Sequence, residues 1–167
     1  MESFTAFVQQ KLIDTFGEQV YHFNVDFGCL NFEVTKEINL KVLRFLKEDP
    51  ELNFTMLNDL TGLHNPDDKG FELSVIYHLR NLVKNELISF SVKTAIENPK
   101  IYSAVQLYSA ANWMERETYD FFGIEFVGHP NLIRILNVPE MNYFPLRKEY
   151  PLEDQTRIDK DDHMFGR

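Results

Sequence analysis

The sequence predicts an α+β fold: an antiparallel sheet of about four to five strands, packed by helices on one face and followed by an extended C-terminal arm. Two observations indicate the domain. Apolar and polar residues alternate in several short runs, and in other stretches the apolar residues recur every three or four positions. A third observation indicates the arm, because both periodicities fade after residue 128 and prolines become frequent. The 167 residues have the length of one domain.

The first part of the chain predicts a helix, a β-hairpin and a second helix. Apolar residues at helical spacing in residues 4–16, followed by Gly17, predict the first helix. Period-two alternation on both sides of Gly28 predicts the hairpin. Thr35 is the expected N-cap of the second helix, which must end before Pro50.

The middle of the chain predicts three further strands and a third helix. The strand patterns cover residues 54–61, 71–80 and 87–94, and short polar links between them favour an antiparallel meander. The third helix is expected from about residue 103 to residue 122, where Gly123 stops it. The sheet should therefore have one face buried by helices and one wetter face.

The chain divides into an α+β domain, residues 1–128, and an arm, residues 129–167. A segment of this length without regular structure is unusual in a compact monomer, so the arm is either disordered or laid along a partner. Its many apolar residues favour the partner. Only its acidic end, the last dozen residues, is expected to be flexible.

The composition excludes several classes of function. The 17 basic and 26 acidic residues give a net charge of −9 without a basic cluster, which argues against nucleic acid as a partner. Cys29 is the one cysteine, the five histidines do not occur at metal-ligand spacing, and no nucleotide-binding or hydrolase motif is present. We therefore assign no catalytic, cofactor-binding or metal-binding residue. No apolar run is long enough to span a membrane, so any membrane association is expected to be indirect.

A carboxylate in the third helix suggests how the arm is attached. On a helical wheel Glu117 falls inside an apolar arc, and a buried carboxylate requires a partner. We expect Glu117 to bind Arg134 or Arg147 and so hold the arm on the helix. The alternative places Glu117 at the edge of the arc, with Arg116 and Asp120 as an ordinary surface pair. The wheel puts Glu115, Arg116 and Asp120 outside the arc, which consists of Ala110, Trp113, Met114, Thr118 and Phe121.

Two further candidates for proton chemistry are weak. Glu115 and Glu117 are two positions apart, so on a helix they point in nearly opposite directions and cannot form a dyad. His129 lies between Gly128 and Pro130 and is the best single proton-handling candidate. A turn histidine that bonds to backbone explains the same pattern more simply.

The segment from the third helix into the arm carries a specific combination of residues. It contains E-R-E-x-x-D-x-F-G, then G-H-P, then P-L-R-K-x-Y-P, and its signature positions are Trp113, Glu115, Arg116, Glu117, Asp120, Gly123, Gly128, His129, Pro130, Arg134, Pro145, Leu146, Arg147, Lys148 and Pro151. The combination resembles the signature of the 30 kDa subunit of respiratory complex I, which is the C-type subunit of the bacterial NADH-quinone oxidoreductase. The likeness extends over roughly residues 20–152. It departs at Ser109 and at residues 138–144, where the family commonly has other residues.

The resemblance implies a non-catalytic core subunit of a proton-translocating NADH:quinone oxidoreductase. Such a chain lies in the hydrophilic peripheral part of the complex, on the cytoplasmic face of the bacterial cell membrane. It scaffolds the quinone module by contacting the large 49 kDa-type subunit and its cluster-bearing neighbours. FMN, iron-sulfur clusters and quinone are then held by partner subunits and none by this chain. The signature residues become interface or packing residues.

Two alternatives remain open from the sequence. The chain is alternatively the equivalent subunit of a related complex, such as a ferredoxin- or deazaflavin-dependent dehydrogenase or a membrane-bound hydrogenase, because the electron donor binds to another subunit. A stand-alone enzyme that uses His129 with Glu117 is the least favoured alternative.

Overall fold

The structure, a computed structural model, describes residues 4–150. In this range the chain forms α1 (Phe4–Phe16), β1 (Val20–Asp26), β2 (Cys29–Val34), α2 (Asn39–Glu48), β3 (Met56–His64), β4 (Leu73–Asn81), β5 (Glu86–Thr94), β6 (Lys100–Tyr102), α3 (Ala111–Phe122) and β7 (Glu125–Val127). The predicted helices, hairpin and meander are present, so the α+β prediction is confirmed. The short strands β6 and β7 are additions, because three residues carry too little pattern to predict a strand.

Five strands form one mixed sheet in the order β1-β2-β5-β4-β3. The hairpin pair β1–β2 and the meander pairs β3–β4 and β4–β5 are antiparallel, as predicted. The central pair is parallel, with Leu30 of β2 opposite Ile88 of β5 and Val34 opposite Val92. A parallel pair needs a long crossover connection, which here contains α2, β3 and β4. The hairpin is thereby joined to the meander in one sheet.

The three helices pack on one face of this sheet. Leu12 of α1, Leu43 of α2 and Phe122 of α3 belong to the same buried cluster as the strand residues that point to that face. At its centre the rings of Tyr77 and Phe90 stack with centroids 4.8 Å apart. Each large apolar side chain buried in this way stabilises the fold by roughly 1.5–3 kcal/mol.

Two helix starts differ from the predictions. Thr35 does not cap α2, because a short 3-10 turn, Lys36–Ile38, precedes the helix and Thr35 makes no side-chain hydrogen bond there. Helix α3 begins at Ala111 instead of near residue 103, since residues 103–110 form turns. Its end is as predicted, with Gly123 in the left-handed conformation at φ 73°.

Residues 129–150, the described part of the arm, contain no helix or strand. They fold back onto the domain: the Leu146 N–H donates to the Phe121 carbonyl oxygen (3.2 Å), and the Lys148 N–H donates to Nδ1 of His64 (2.9 Å). The predicted flexible acidic end and Pro151 lie outside the described residues. Among the helices of residues 4–150, none combines the length and the apolar character needed to cross a membrane.

Candidate functional site at the arm clamp

The carboxylate of Asp120, on α3, is the point at which the arm is held. Its Oδ2 accepts hydrogen bonds from the backbone N–H groups of Ile135 (3.0 Å), Leu136 (2.8 Å) and Asn137 (2.9 Å). Its Oδ1 accepts from Nη1 of Arg134 (2.7 Å) and from Nδ2 of Asn137 (3.1 Å). Five donors from four consecutive arm residues therefore meet one fully buried carboxylate. We call Asp120 together with residues 134–137 the arm clamp.

Arg134 makes three further hydrogen bonds to backbone carbonyl oxygens. Nη1 also donates to the Asp120 carbonyl oxygen (2.8 Å), and Nη2 donates to the carbonyl oxygens of Met141 and Tyr143 (2.9 Å each). The Arg134 side chain is only 10% exposed. A guanidinium group has donors in a fixed fork, so one side chain sets the path of residues 134–143 around itself.

The electrostatics of the clamp favour an ionised Asp120. Burial alone raises the pKa of this carboxyl, but the hydrogen bonds from the backbone of Asn137 and Leu136 and from the side chains of Arg134 and Asn137 outweigh burial. The pKa of Asp120 therefore lies well below its ordinary value, and the carboxylate stays charged at neutral pH.

The Phe144 ring and Arg147 lie against the C-terminal end of α3. Nε of Arg147 donates to the Phe122 carbonyl oxygen at the helix C-terminus (2.7 Å). The guanidinium carbons of Arg134 and Arg147 lie 5.0 Å and 4.6 Å from the centroid of the Phe144 ring, within cation–π range. A Cβ added to Gly123 would come within 2.5 Å of that ring. The closing of the arm over α3 therefore depends on a glycine at position 123.

We expect Gly123→Ala to destabilise the fold by about 2–3 kcal/mol, because it adds left-handed backbone strain and a clash with Phe144. Urea unfolding measures the effect. Gly17→Ala is the matched control: its φ of 57° is also left-handed, but no heavy atom lies within 4 Å of the added Cβ. The control should lose only about 1–2 kcal/mol. Equal losses in the two variants would show that Phe144 does not restrict position 123.

A second buried carboxylate, Glu115, supports the start of α3. Its oxygens accept hydrogen bonds from the Ser103 hydroxyl and from the Ala104 N–H, each at 2.6 Å. Burial raises the pKa of Glu115 to about 7, and these two hydrogen bonds oppose the shift only in part. No cation faces this carboxylate within the described residues. Glu115 therefore exchanges its proton near neutral pH.

The prediction that Glu117 holds the arm is wrong. Glu117 is exposed and forms no hydrogen bond or ion pair within residues 4–150, while Arg134 binds Asp120 and Arg147 binds the helix end. The buried stripe of α3 is Ala111, Glu115, Thr118 and Phe122, and Trp113, a member of the predicted arc, is 64% exposed. The alternative with an Arg116–Asp120 surface pair is also wrong, because Arg116 donates to the Ile133 carbonyl oxygen at 3.1 Å.

The side chain of His129, a further signature residue, is bound to backbone groups. His129 accepts a hydrogen bond at Nδ1 from the Asn131 N–H (3.0 Å), so its Nε2–H donates to the Asn112 carbonyl oxygen (3.1 Å). Both ring nitrogens are thus bonded to backbone groups, Nδ1 in the turn after Gly128 and Nε2 at the start of α3, which agrees with the simpler explanation of a histidine that bonds to backbone. Lys148 contributes its backbone N–H, whereas the side chains of Trp113 and Leu146 are exposed.

The cleft beside the arm clamp is small. The cleft between β3, α3 and the arm has a volume of about 110 Å³, below the roughly 300 Å³ at which small-molecule sites begin. Among residues 4–150, no three His, Cys, Asp or Glu side chains are close enough to hold a metal ion. What the geometry does is fix the path of the arm.

Comparison with known proteins agrees with the signature. Residues 32–156 match the family model described as "Respiratory-chain NADH dehydrogenase, 30 Kd subunit". The C-type subunit of NADH-quinone oxidoreductase from Streptomyces coelicolor is 45% identical over 128 residues, which are 77% of this chain and 51% of that protein. The chain thus spans about half the length of that relative.

Two solved structures share the fold. A trypsin-resistant fragment of Nqo5 superposes with a TM-score of 0.65 at 26% identity, over 77% of this chain and 99% of the fragment. A chain of a membrane-bound sulfane sulfur reductase, an archaeal respiratory membrane complex, superposes with a TM-score of 0.76 at 22% identity, over 95% of this chain and 97% of that one. The second likeness concerns the fold alone. Because the family model matches most of this chain, the chain belongs to the family of the 30 kDa subunit of respiratory-chain NADH dehydrogenase.

Proposed function

We propose that the chain is a non-catalytic subunit of the hydrophilic peripheral part of a proton-translocating NADH:quinone oxidoreductase. It scaffolds the quinone module, while other subunits carry electrons from NADH through FMN and iron-sulfur clusters to quinone. The observation that carries the proposal is the arm clamp. A buried carboxylate with five donors fixes an irregular segment without presenting any reactive group to solvent.

The clamp holds apolar side chains at the surface. Ile133, Leu136 and Val138 are 52%, 63% and 60% exposed, and Tyr143, Leu146 and Tyr150 are also exposed. The backbone N–H of Leu136 is bound to Asp120, so this part of the arm has a fixed course. Exposed apolar groups on a rigid segment are typical of a protein interface, because little conformational entropy is lost on binding.

The partner proposed for this surface is the large 49 kDa-type subunit, the D-type subunit of the bacterial complex, together with its cluster-bearing neighbours. The proposal rests on the family membership and on relatives such as the Streptomyces coelicolor protein, which is a subunit of NADH-quinone oxidoreductase. The chain would then lie on the cytoplasmic face of the cell membrane and attach to it only through these partners.

The equivalent subunit of a related complex is the second candidate. The shared fold with a chain of the archaeal sulfane sulfur reductase makes this candidate specific, since the same architecture occurs in a complex that reduces a different substrate. The higher identity to NADH-quinone oxidoreductase subunits favours the first candidate.

Affinity purification from gently solubilised membranes distinguishes the candidates. A tagged chain is expected to co-purify with the large quinone-module subunit, with iron-sulfur proteins and with a flavin-binding NADH subunit. A complex that lacks the flavin-binding NADH subunit would support the second candidate. Recovery of the chain without any quinone-module subunit would contradict both.

We expect Leu136→Thr to weaken co-purification of the large subunit by about tenfold, because it removes an exposed apolar contact from the interface. The stability of the isolated chain should change by less than about 0.5 kcal/mol. Ile13→Gln is the control, since Ile13 is 39% exposed on α1, outside the arm and outside β3, where the arm attaches at His64. An equal loss of the partner in both variants, or in neither, would contradict the proposed interface.

A further inference from the structure

The turn between β1 and β2 presents an aromatic ring to solvent. Asp26 pairs with Cys29, so Phe27 and Gly28 form a two-residue turn, with φ of 53° and 80°. Positive φ at both positions is the type I′ geometry, which favours Asn and Gly. Phe27 has a relative exposure of 110%, so no contact within the described residues offsets the strain of its backbone.

A second turn brings more apolar side chains to the same place. The parallel pairing of β2 with β5 sets the starts of the two strands side by side, and each start follows a turn, residues 27–28 and residues 82–85. Leu82 and Val83 of the second turn are 61% and 82% exposed, and Val25 beside the first turn is 55% exposed. We call Val25, Phe27, Leu82 and Val83 the turn patch.

The second turn is held rigidly by the domain. The buried Asn81 side chain accepts hydrogen bonds at Oδ1 from the N–H groups of Val83 (2.9 Å) and Lys84 (2.8 Å), and its Nδ2 donates to the Leu52 carbonyl oxygen. Nζ of Lys84 donates to the Glu51 carbonyl oxygen at 2.9 Å. The exposed apolar groups therefore stand on a preorganised support, which lowers the entropy cost of binding.

The charges around the turn patch point to the kind of partner. Asp26 and Glu86 flank the two turns, and neither forms an ion pair within the described residues. The nearby cations are engaged on this chain, Lys84 over the Phe4 ring at 3.8 Å and Arg80 with Asn85 at 2.6 Å. Carboxylates beside apolar tips oppose insertion into a bilayer and favour a protein surface with basic residues.

We propose that the turn patch docks into an apolar pocket, bordered by Lys or Arg, on another protein chain. This contact is separate from the arm surface, because the arm meets β3 at His64, whereas the turns lie at the opposite end of the sheet, level with Met56. It does not depend on which complex contains the chain. Phe27 is the central side chain of the contact, and its strained backbone is retained for binding.

Photo-crosslinking in the intact complex tests the proposal. Phe27 is replaced by p-benzoylphenylalanine, the complex is irradiated in native membranes, and the linked peptides are identified by mass spectrometry. We expect one peptide of one other chain, from an apolar surface with neighbouring Lys or Arg residues. Linkage to a second copy of this chain, to lipid or to nothing would overturn the proposal.

Phe27→Asn separates binding from folding. Asn suits the positive φ, so the melting temperature of the isolated chain should rise by about 2–4 °C, while affinity for the cross-linked chain falls about tenfold or more. Ile13→Gln removes an exposed apolar group from α1 and should leave that affinity unchanged. Unchanged affinity of Phe27→Asn would overturn the proposal. So would co-sedimentation of the wild type, but not of Phe27→Asn, with phosphatidylcholine and phosphatidylglycerol vesicles.

Discussion

Asp120→Ala is expected to destabilise the chain by about 3–5 kcal/mol, the range found when one partner of a buried ion pair is removed. The variant leaves Arg134 without its counter-ion and takes the acceptor from the N–H groups of residues 135–137. Detachment of the arm limits the loss, because the exposed segment can then hydrogen-bond with water. Urea unfolding should therefore show the loss together with faster proteolysis within residues 129–150.

Asp120→Asn should lose nearly as much, because an amide has one acceptor oxygen and would direct N–H groups at the backbone donors. Asp14→Asn is the control: Asp14 is exposed on α1 and accepts one hydrogen bond, from Gln10. It should change stability by less than about 0.5 kcal/mol. Comparable behaviour of the Asp14 and Asp120 variants would contradict a clamp at Asp120.

The pH dependence of the Asp120 contribution has a definite sign. The folded-state pKa lies below the ordinary value of 3.8, so the contribution is complete above about that pH. It declines as the pH falls toward the lower pKa of the folded state. The stability difference between wild type and Asp120→Ala should therefore shrink under acid, which urea unfolding at a series of pH values measures.

The sequence predicted the domain well because its helices and strands bury regular stripes of apolar residues. The alternation in residues 71–80 corresponds to β4, where Leu73, Val75, Tyr77 and Leu79 all point into the core. The parallel pairing of β2 and β5 was not predictable in this way, because the period-two pattern is the same for both strand directions.

The arm clamp could not be predicted from the sequence, for a different reason. The helical wheel predicts, from side-chain polarity alone, that Trp113 is buried and Asp120 is exposed. In the structure Trp113 is exposed and Asp120 is buried. Asp120 can be buried because hydrogen-bond donors from the arm pair with its carboxylate. Those donors are mainly backbone N–H groups, which every residue type except proline has, so the sequence does not reveal them. The family signature contained Asp120 and Arg134 but did not show that they bind each other.

The contribution of Glu115 to the free energy of unfolding falls as the pH rises through neutrality. Burial raises its pKa from 4.5 to about 7 in the folded state, so between these values the folded chain binds a proton that the unfolded chain has released. The favourable contribution is complete below about 4.5 and is lost as the pH passes 7. A shift of this size corresponds to about 3 kcal/mol.

Glu115→Gln isolates this contribution, because glutamine resembles the protonated acid: its oxygen accepts from Ala104 and its N–H₂ faces the Ser103 hydroxyl. We expect wild type and variant to have similar unfolding free energies near pH 4.5 and the variant to be more stable by about 3 kcal/mol at pH 8. Glu117→Gln, two residues along the same helix but exposed, is the matched control and should not show this gain at pH 8. Parallel curves for all three proteins would show that Glu115 is ionised throughout, and the carboxylate would then need a cation that residues 4–150 do not supply.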